Sequence, residues 1–168
     1  LLDRELYLPK SWCEDPGRCE AVSVPSYVTF ATKQRLAQKM LGHAFESGFS
    51  PARVLADEVY GSDSKFRCFL EARHQPYGLA VSSQQRLWMG FQQKRIDAIA
   101  KEIPEANWIR LSVAYGTKGP RLYDWATAQF GAPTDGYLRR WVLFRRSLEK
   151  TSELAYYFCL APSDATMS

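Results

Sequence analysis

Apolar side chains return every three to four positions along residues 33–47, where Leu36, Met40, Leu41, Ala44 and Phe45 make one stripe. That spacing predicts a helix. Thr32 is placed to cap it, because its hydroxyl can accept from the orphan N–H groups of the first turn, and Gly48 is placed to stop it. Next, Arg53-Val54-Leu55-Ala56-Asp57-Glu58 runs from an apolar stretch into an acidic pair, which predicts a buried strand over 53–58 with carboxylates at its carboxyl end. Helical spacing resumes over 63–74, with Phe66, Phe69 and Leu70 facing inward, Ser62 or Asp63 as cap and Pro76 as stop. Residues 77–82, Tyr-Gly-Leu-Ala-Val-Ser, predict a second buried strand. Upstream, Leu6, Tyr7 and Leu8 complete an expected strand over 1–8 that Pro9 ends. Residues 10–31 carry Pro16, Gly17 and Pro25 without period and predict a long loop with one turn of helix. The order helix, strand, helix, strand implies an α/β fold with a parallel pair in its sheet.

The pattern changes after Ser83. Ile96, Ile99 and Ile103 predict a helix over 91–102, after which period two takes over. Ile109, Leu111, Val113 and Tyr115 alternate with Trp108, Arg110 and Ser112. Trp141 and Leu143 oppose Val142 and Phe144, and Leu154, Tyr156, Phe158 and Leu160 share one face. Gly116, Gly119-Pro120 and the stretch from Gly131 to Gly136 supply turns. This half reads as a mostly β unit joined to the α/β unit, with no internal repeat and no low-complexity tract.

Composition narrows the class. Of 168 residues, 46% are hydrophobic and 24% charged, which argues against a disordered chain. No apolar run is long enough to span a bilayer. Asp3 and Glu5 interrupt the first ten residues, which therefore lack the pattern of a secretory signal. A cytoplasmic protein is expected, and the absence of an initiator Met together with an apolar first residue gives the expectation that the chain starts within a domain. The net charge of +4 permits a nucleic-acid partner without requiring one. Cys13, Cys19, Cys68 and Cys159, with His43 and His74, show no metal-binding spacing, and reduced thiols are the expectation.

Among groups that carry chemistry, Asp57 stands first. Catalytic groups of open α/β sheets gather at the carboxyl ends of strands, and hard divalent cations take oxygen ligands. A capping or surface acid is the plainer alternative. If the strand persists through Glu58, the two neighbouring carboxylates point to opposite faces and do not share an ion. No nucleophile elbow, phosphate loop or dinucleotide fingerprint is present. Gly116-Thr117-Lys118-Gly119-Pro120-Arg121 resembles a phosphate cradle but leads into Tyr123 and Trp125 rather than an amphipathic helix. Basic residues gather at Lys118 and Arg121, Arg139 and Arg140, and Arg145 and Arg146, interleaved with Tyr123, Trp125, Tyr137, Trp141 and Phe144. Such residues contact phosphates and unpaired bases; they also protect exposed strand edges.

Several blocks resemble bacterial insertion-sequence transposases of the DDE type: DRELYLPKSW at 3–12, FATK at 30–33, ADEVYG at 56–61 and YGLAVSS at 77–83. The second half adds WIRLSVAYGTKGPRLYDWA at 108–126, with its KGPRxYDWA pattern, WVLFRRSL at 141–148 and ELAYYFCLAP at 153–162. The resemblance covers nearly the whole chain in order. It implies a partial RNase H-like core over residues 1–83, a mostly β insertion over 84–152, and the insertion's last strand with a truncated tail over 153–168. It implies cutting and joining of DNA strands with two divalent ions, Mg²⁺ or Mn²⁺, and DNA partners at transposon ends and target, with a homodimer as the complete assembly and no membrane. Asp57 matches the family's second catalytic Asp and so a metal ligand. Lys118, Arg121, Arg139, Arg140, Arg145 and Arg146 are the expected DNA contacts. Asp3 matches a family position that is not catalytic. The family's first Asp lies upstream of Leu1 and its final Glu downstream of Ser168, so the expectation is a fragment inactive alone. The alternative is a non-catalytic DNA-binding remnant.

Overall fold

The computed structural model describes residues 3–117, 119–131 and 137–166, with the side chain of Val113 outside the description. Lys118, an expected DNA contact, lies outside the described residues. The chain divides into two units, Leu1–Pro51 and Ala52–Ser168.

The first unit holds three helices, α1 (Lys10–Cys13), α2 (Pro16–Ala21) and α3 (Lys33–Glu46). Asp15 caps α2 by accepting from the Arg18 N–H at 3.0 Å, and Thr32 caps α3 by accepting from the Arg35 N–H at 3.2 Å. Gly48 takes φ +83° just beyond α3, the left-handed conformation that ends a helix most readily at glycine. The expected loop over 10–31 thus contains two short helices rather than one turn. The expected strand over 1–8 does not form among the described residues. Strand backbone needs a hydrogen-bonded neighbour, and this segment is instead tied by side chains to α3. Asp3 meets His43 at 3.0 Å and Glu5 meets Lys39 at 2.5 Å, while the Lys33 ammonium sits 5.4 Å from the Tyr7 ring centre.

The second unit opens with β1 (Val54–Ala56), α4 (Glu58–Gly61), α5 (Ser64–Glu71) and β2 (Tyr77–Val81). The first strand is shorter than the expected 53–58, because the chain turns into α4 directly after Asp57. Asp63 caps α5 with two bonds, from the Lys65 and Phe66 N–H groups at 2.7 and 3.1 Å. Phe66 and Leu70 are buried; Phe69 is only half-buried and carries the Arg73 guanidinium on its ring. The expected helix over 91–102 is replaced in its first part by a hairpin of β3 (Arg86–Met89) and β4 (Gln92–Arg95). Gly90, at φ +62°, supplies the left-handed turn residue such hairpins need. Only α6 (Ile96–Glu102) remains helical, with Ile96 and Ile99 buried.

Then follow β5 (Ile109–Gly116), β6 (Gly119–Gln129), β7 (Leu138–Arg146) and β8 (Leu154–Pro162); β5, β7 and β8 lie on the period-two stretches, whereas β6 begins at the expected Gly119-Pro120 turn and is a strand that the pattern does not predict. One six-stranded sheet runs β1-β2-β8-β7-β6-β5. The β1–β2 pair is parallel and every other pair antiparallel. The β-rich half is therefore not packed beside the α/β strands; it continues their sheet, through Leu79 opposite Phe158. Leu79, Ala126, Val142, Phe144, Phe158 and Leu160 form the core on one face, the face on which Gly61 of α4 meets Leu79 and Glu71 of α5 meets Arg140. The opposite face presents Leu55, Gly78, Cys159, Tyr157, Trp141, Leu143, Arg145 and Trp125, placed there by the two-residue alternation of each strand.

Candidate functional site

Asp57 follows the last residue of β1, whose parallel partner Leu79 anchors that end of the strand. Its backbone is extended (φ −78°, ψ −176°), and it is the capping residue of α4. One carboxylate oxygen, Oδ1, accepts from the Val59 N–H at 3.0 Å. Its backbone carbonyl accepts from the Gly61 N–H at 3.0 Å. The residue is exposed, and among the described residues no hydrogen bond to Oδ2 is present. The side chain therefore caps the helix with one oxygen and offers the other to solvent. Because the strand ends at Ala56, strand alternation does not set the relative directions of Asp57 and Glu58.

A carboxylate of this kind fits one ligand position of Mg²⁺ or Mn²⁺, which take oxygen donors. Among the described residues no group of three or more His, Cys, Asp or Glu side chains is assembled to hold an ion. Asp57 thus supplies one ligand rather than a cage.

The two-residue period splits the arginine pairs between faces. Arg140 points to the core side and donates from Nε and Nη2 to Glu71 at 3.1 and 2.7 Å. The Tyr77 hydroxyl donates to the same Glu71 at 2.7 Å. Burial pushes the Glu71 carboxyl up, but the bonds from Arg140 and Tyr77 outweigh it and hold the group below its ordinary value; burial and the same carboxylate push the Tyr77 hydroxyl up. Arg146 also points to the core side. It donates to Glu105 at 2.9 and 2.5 Å and to Asp124 at 3.1 Å, and lies over the Trp108 ring. Arg110 donates to the other oxygen of Asp124 at 3.0 Å, and together these bonds hold Asp124 below the usual carboxylate range.

Arg145 belongs to the opposite face. Its guanidinium stands 4.7 Å from the Tyr123 ring centre, and the neighbouring Trp125 and Tyr157 rings stack at 6.4 Å. A groove of about 840 Å³ opens there, lined in part by Leu55, Trp125, Leu143, Arg145 and Tyr157; Arg53 and Arg145 are its only charged lining residues among those described. Arg121 is exposed, with its side chain alongside Gly116, and Arg139 lies half-buried on β7, donating to the Leu138 carbonyl at 2.9 Å. The five expected DNA contacts among the described residues, Arg121, Arg139, Arg140, Arg145 and Arg146, are therefore not one cluster. Glu71, Glu105 and Asp124, which bind two of them, were not singled out from sequence, although period two already separates the members of Arg139-Arg140 and Arg145-Arg146.

No curated protein matches the chain. The model of one protein family, described as DDE superfamily endonuclease, matches residues 1–101. The match takes in the whole first unit and the early elements of the second, Asp57 and the parallel strand pair among them, and covers 101 of the 168 residues. The chain belongs to the DDE superfamily endonucleases.

Proposed function

We propose that this chain is a piece of an insertion-sequence transposase in which Asp57 is one carboxylate ligand of the catalytic divalent ions, and in which the β-rich half, residues 84–152 with the strand that follows, contacts DNA. The observation that carries this reading is the state of the Asp57 carboxylate. It sits at the carboxyl end of a parallel strand, within the family match, with one oxygen fixed by the Val59 N–H and the other open. When bound, Mg²⁺ or Mn²⁺ supplies activation of the attacking hydroxyl and charge stabilisation on the leaving oxygen. The protein's own contribution is positional: α4 holds Asp57 by a side-chain and a backbone bond, Arg145 offers positive charge beside the Tyr123 and Tyr157 rings, and Arg121 and Arg139 add further positive charge for phosphates. Arg140 and Arg146 each pair with carboxylates, so their part in DNA contact is secondary to holding the sheet. Lys118 remains in the proposed contact set.

The test is a strand-cleavage and joining assay with Mg²⁺ or Mn²⁺ on DNA carrying the element's ends, in the transposase that contains this sequence. Loss of a metal ligand removes several kcal/mol of transition-state stabilisation, so Asp57→Ala is expected to lower the rate by about 10³-fold or more while DNA affinity stays unchanged. Full activity in the variant refutes the ligand role. DNA binding without metal-dependent cleavage by the unaltered transposase favours the second reading, a non-catalytic DNA-binding remnant. With only one carboxylate in place among its described residues, the 168-residue chain alone is expected to bind DNA and not to cut it.

A further inference from the structure

The geometry points to Gly61 as a positioning residue for Asp57, acting through the absence of its side chain. Gly61 closes the single turn of α4 and is buried. A Cβ built on it would lie 1.9 Å from the Ala80 carbonyl oxygen, 2.9 Å from the carbonyl carbon and 3.1 Å from the Leu79 Cβ. The first two atoms are backbone of β2, at a residue paired with Tyr157 of β8, and have no rotamer by which to give way. Gly61 does not take a left-handed conformation, so the requirement is for space and not for backbone freedom. Any side chain here lifts α4 from β2 by roughly 1 Å or more to restore ordinary contact distance.

That displacement reaches Asp57 directly. The Gly61 N–H donates to the Asp57 carbonyl, the Val59 N–H in the same turn holds Oδ1, and Asp57 is the residue from which the turn begins. At the far end, Arg67 donates to the Gly61 carbonyl while its guanidinium rests 5.0 Å from the Phe158 ring centre, so the turn is clamped to the sheet at both ends. Gly78 offers a contrast on the same strand: its added Cβ would meet the Leu55 Cδ2 at 3.1 Å, the end of a side chain that is 72% exposed and can rotate away.

The inference rests on the reading of Asp57 as a metal ligand, and the experiment separates the two. Backbone amide spectra of the 168-residue chain are recorded without metal and during Mn²⁺ titration, for the wild type, Gly61→Ala, Gly78→Ala, Asp57→Asn and Leu70→Ala. Wild type and Gly78→Ala are expected to show broadening centred on Val59. Gly61→Ala is expected to shift the metal-free Val59 amide and to weaken its broadening at a given Mn²⁺ concentration, because the displaced turn loosens the Val59 contact with the Asp57 carboxylate. Leu70→Ala removes a buried side chain of α5 and is expected to lower the unfolding midpoint while leaving the Mn²⁺ response of the folded protein unchanged, which separates positioning from general destabilisation. Should Gly61→Ala fail to fold, Arg67→Ala, which releases the other end of the turn, is expected to move the same amide and weaken the response in the same direction. A Val59 amide and Mn²⁺ response unchanged in the glycine variant, or in its arginine substitute, overturn the positioning role. Mn²⁺ broadening that persists in Asp57→Asn overturns the ligand reading instead, and the metal-free Val59 amide then still decides whether Gly61 sets the Asp57 turn.

Discussion

Replacing Arg140 with Ala removes the bidentate partner of Glu71, and the structure sets the size of the loss. The Glu71 side chain is 17% exposed and that of Arg140 29%. Stripping one partner from a fully buried pair costs about 3–5 kcal/mol, whereas exposed pairs contribute about 0–1 kcal/mol. This pair lies between, with two donors in a fork, and one hydroxyl bond from Tyr77 survives the change. A loss of about 2 kcal/mol follows, which lowers the thermal midpoint by about 4–8 °C for a chain of this size. Glu71→Gln keeps an acceptor for Tyr77 and leaves a cation that water can still reach, so about 1 kcal/mol is expected. The double variant should lose less than the sum, with a coupling energy of about 1 kcal/mol. Urea unfolding followed by tryptophan fluorescence and far-ultraviolet dichroism measures all four states. An Arg140→Ala midpoint within about 0.5 kcal/mol of wild type, together with weakened DNA binding, would show that Arg140 serves the ligand and not the sheet, and would refute the reasoning.

The pH dependence of the same pair has a fixed sign. The folded state holds Glu71 below its ordinary value of 4.5, so its stabilisation is present above that value and disappears as pH falls through the lower folded value; the stability gap between wild type and Glu71→Gln should close on acidification below about pH 4.5, and a gap that widens would contradict this. For DNA, Arg145→Ala should weaken binding and lower the salt slope by about one, whereas Arg146→Ala should chiefly lower the unfolding midpoint because Glu105 and Asp124 already hold that guanidinium; filter binding across a salt series beside thermal melts checks both. Burial pushes the Cys159 thiol up to about 12, so it should alkylate far more slowly at pH 8 than the exposed Cys68, and mass mapping that finds equal labelling would remove that expectation.

Much of the larger unit was legible because β7 and β8 carry apolar residues at alternate positions, whereas β5 breaks its register between Ser112 and Tyr115. Val142 and Phe144, and Tyr156, Phe158 and Leu160, are buried at alternate positions with their neighbours half-buried. The caps at Thr32 and Asp63 were legible for a local reason, since a short polar side chain before a helical stripe has few other uses. What failed was non-local or marginal. Leu6, Tyr7 and Leu8 suit a strand, but strand formation depends on a neighbour that three residues cannot specify. Residues 86–95 carry a hairpin whose exposed Trp88 and Phe91 give no alternating signal, so the isoleucines beyond drew the predicted helix too far forward. Asp57 could be singled out from its place after an apolar run, whereas the close approach of Gly61 to Ala80 depends on backbone separations that no spacing of residue types encodes. The arginine doublets are adjacent in sequence, but a strand sends neighbouring side chains to opposite faces, so Arg140 and Arg146 meet carboxylates on the core side while Arg145 lies on the other.

The place of β8 in the sheet has a kinetic consequence. It is the last of the described strands in sequence, yet it lies between β2 and β7. During synthesis β2 emerges some seventy residues before the strand that covers its edge, and the β5–β6–β7 ribbon must wait with one side unpaired. Closing so long a loop is slow, and unpaired edges invite association between nascent chains. Folding of this unit is therefore expected to finish in one late docking step, in which residues 154–162 zip two preformed halves together, and a ribosome-bound intermediate arrested before Leu154 should be the species most in need of a chaperone.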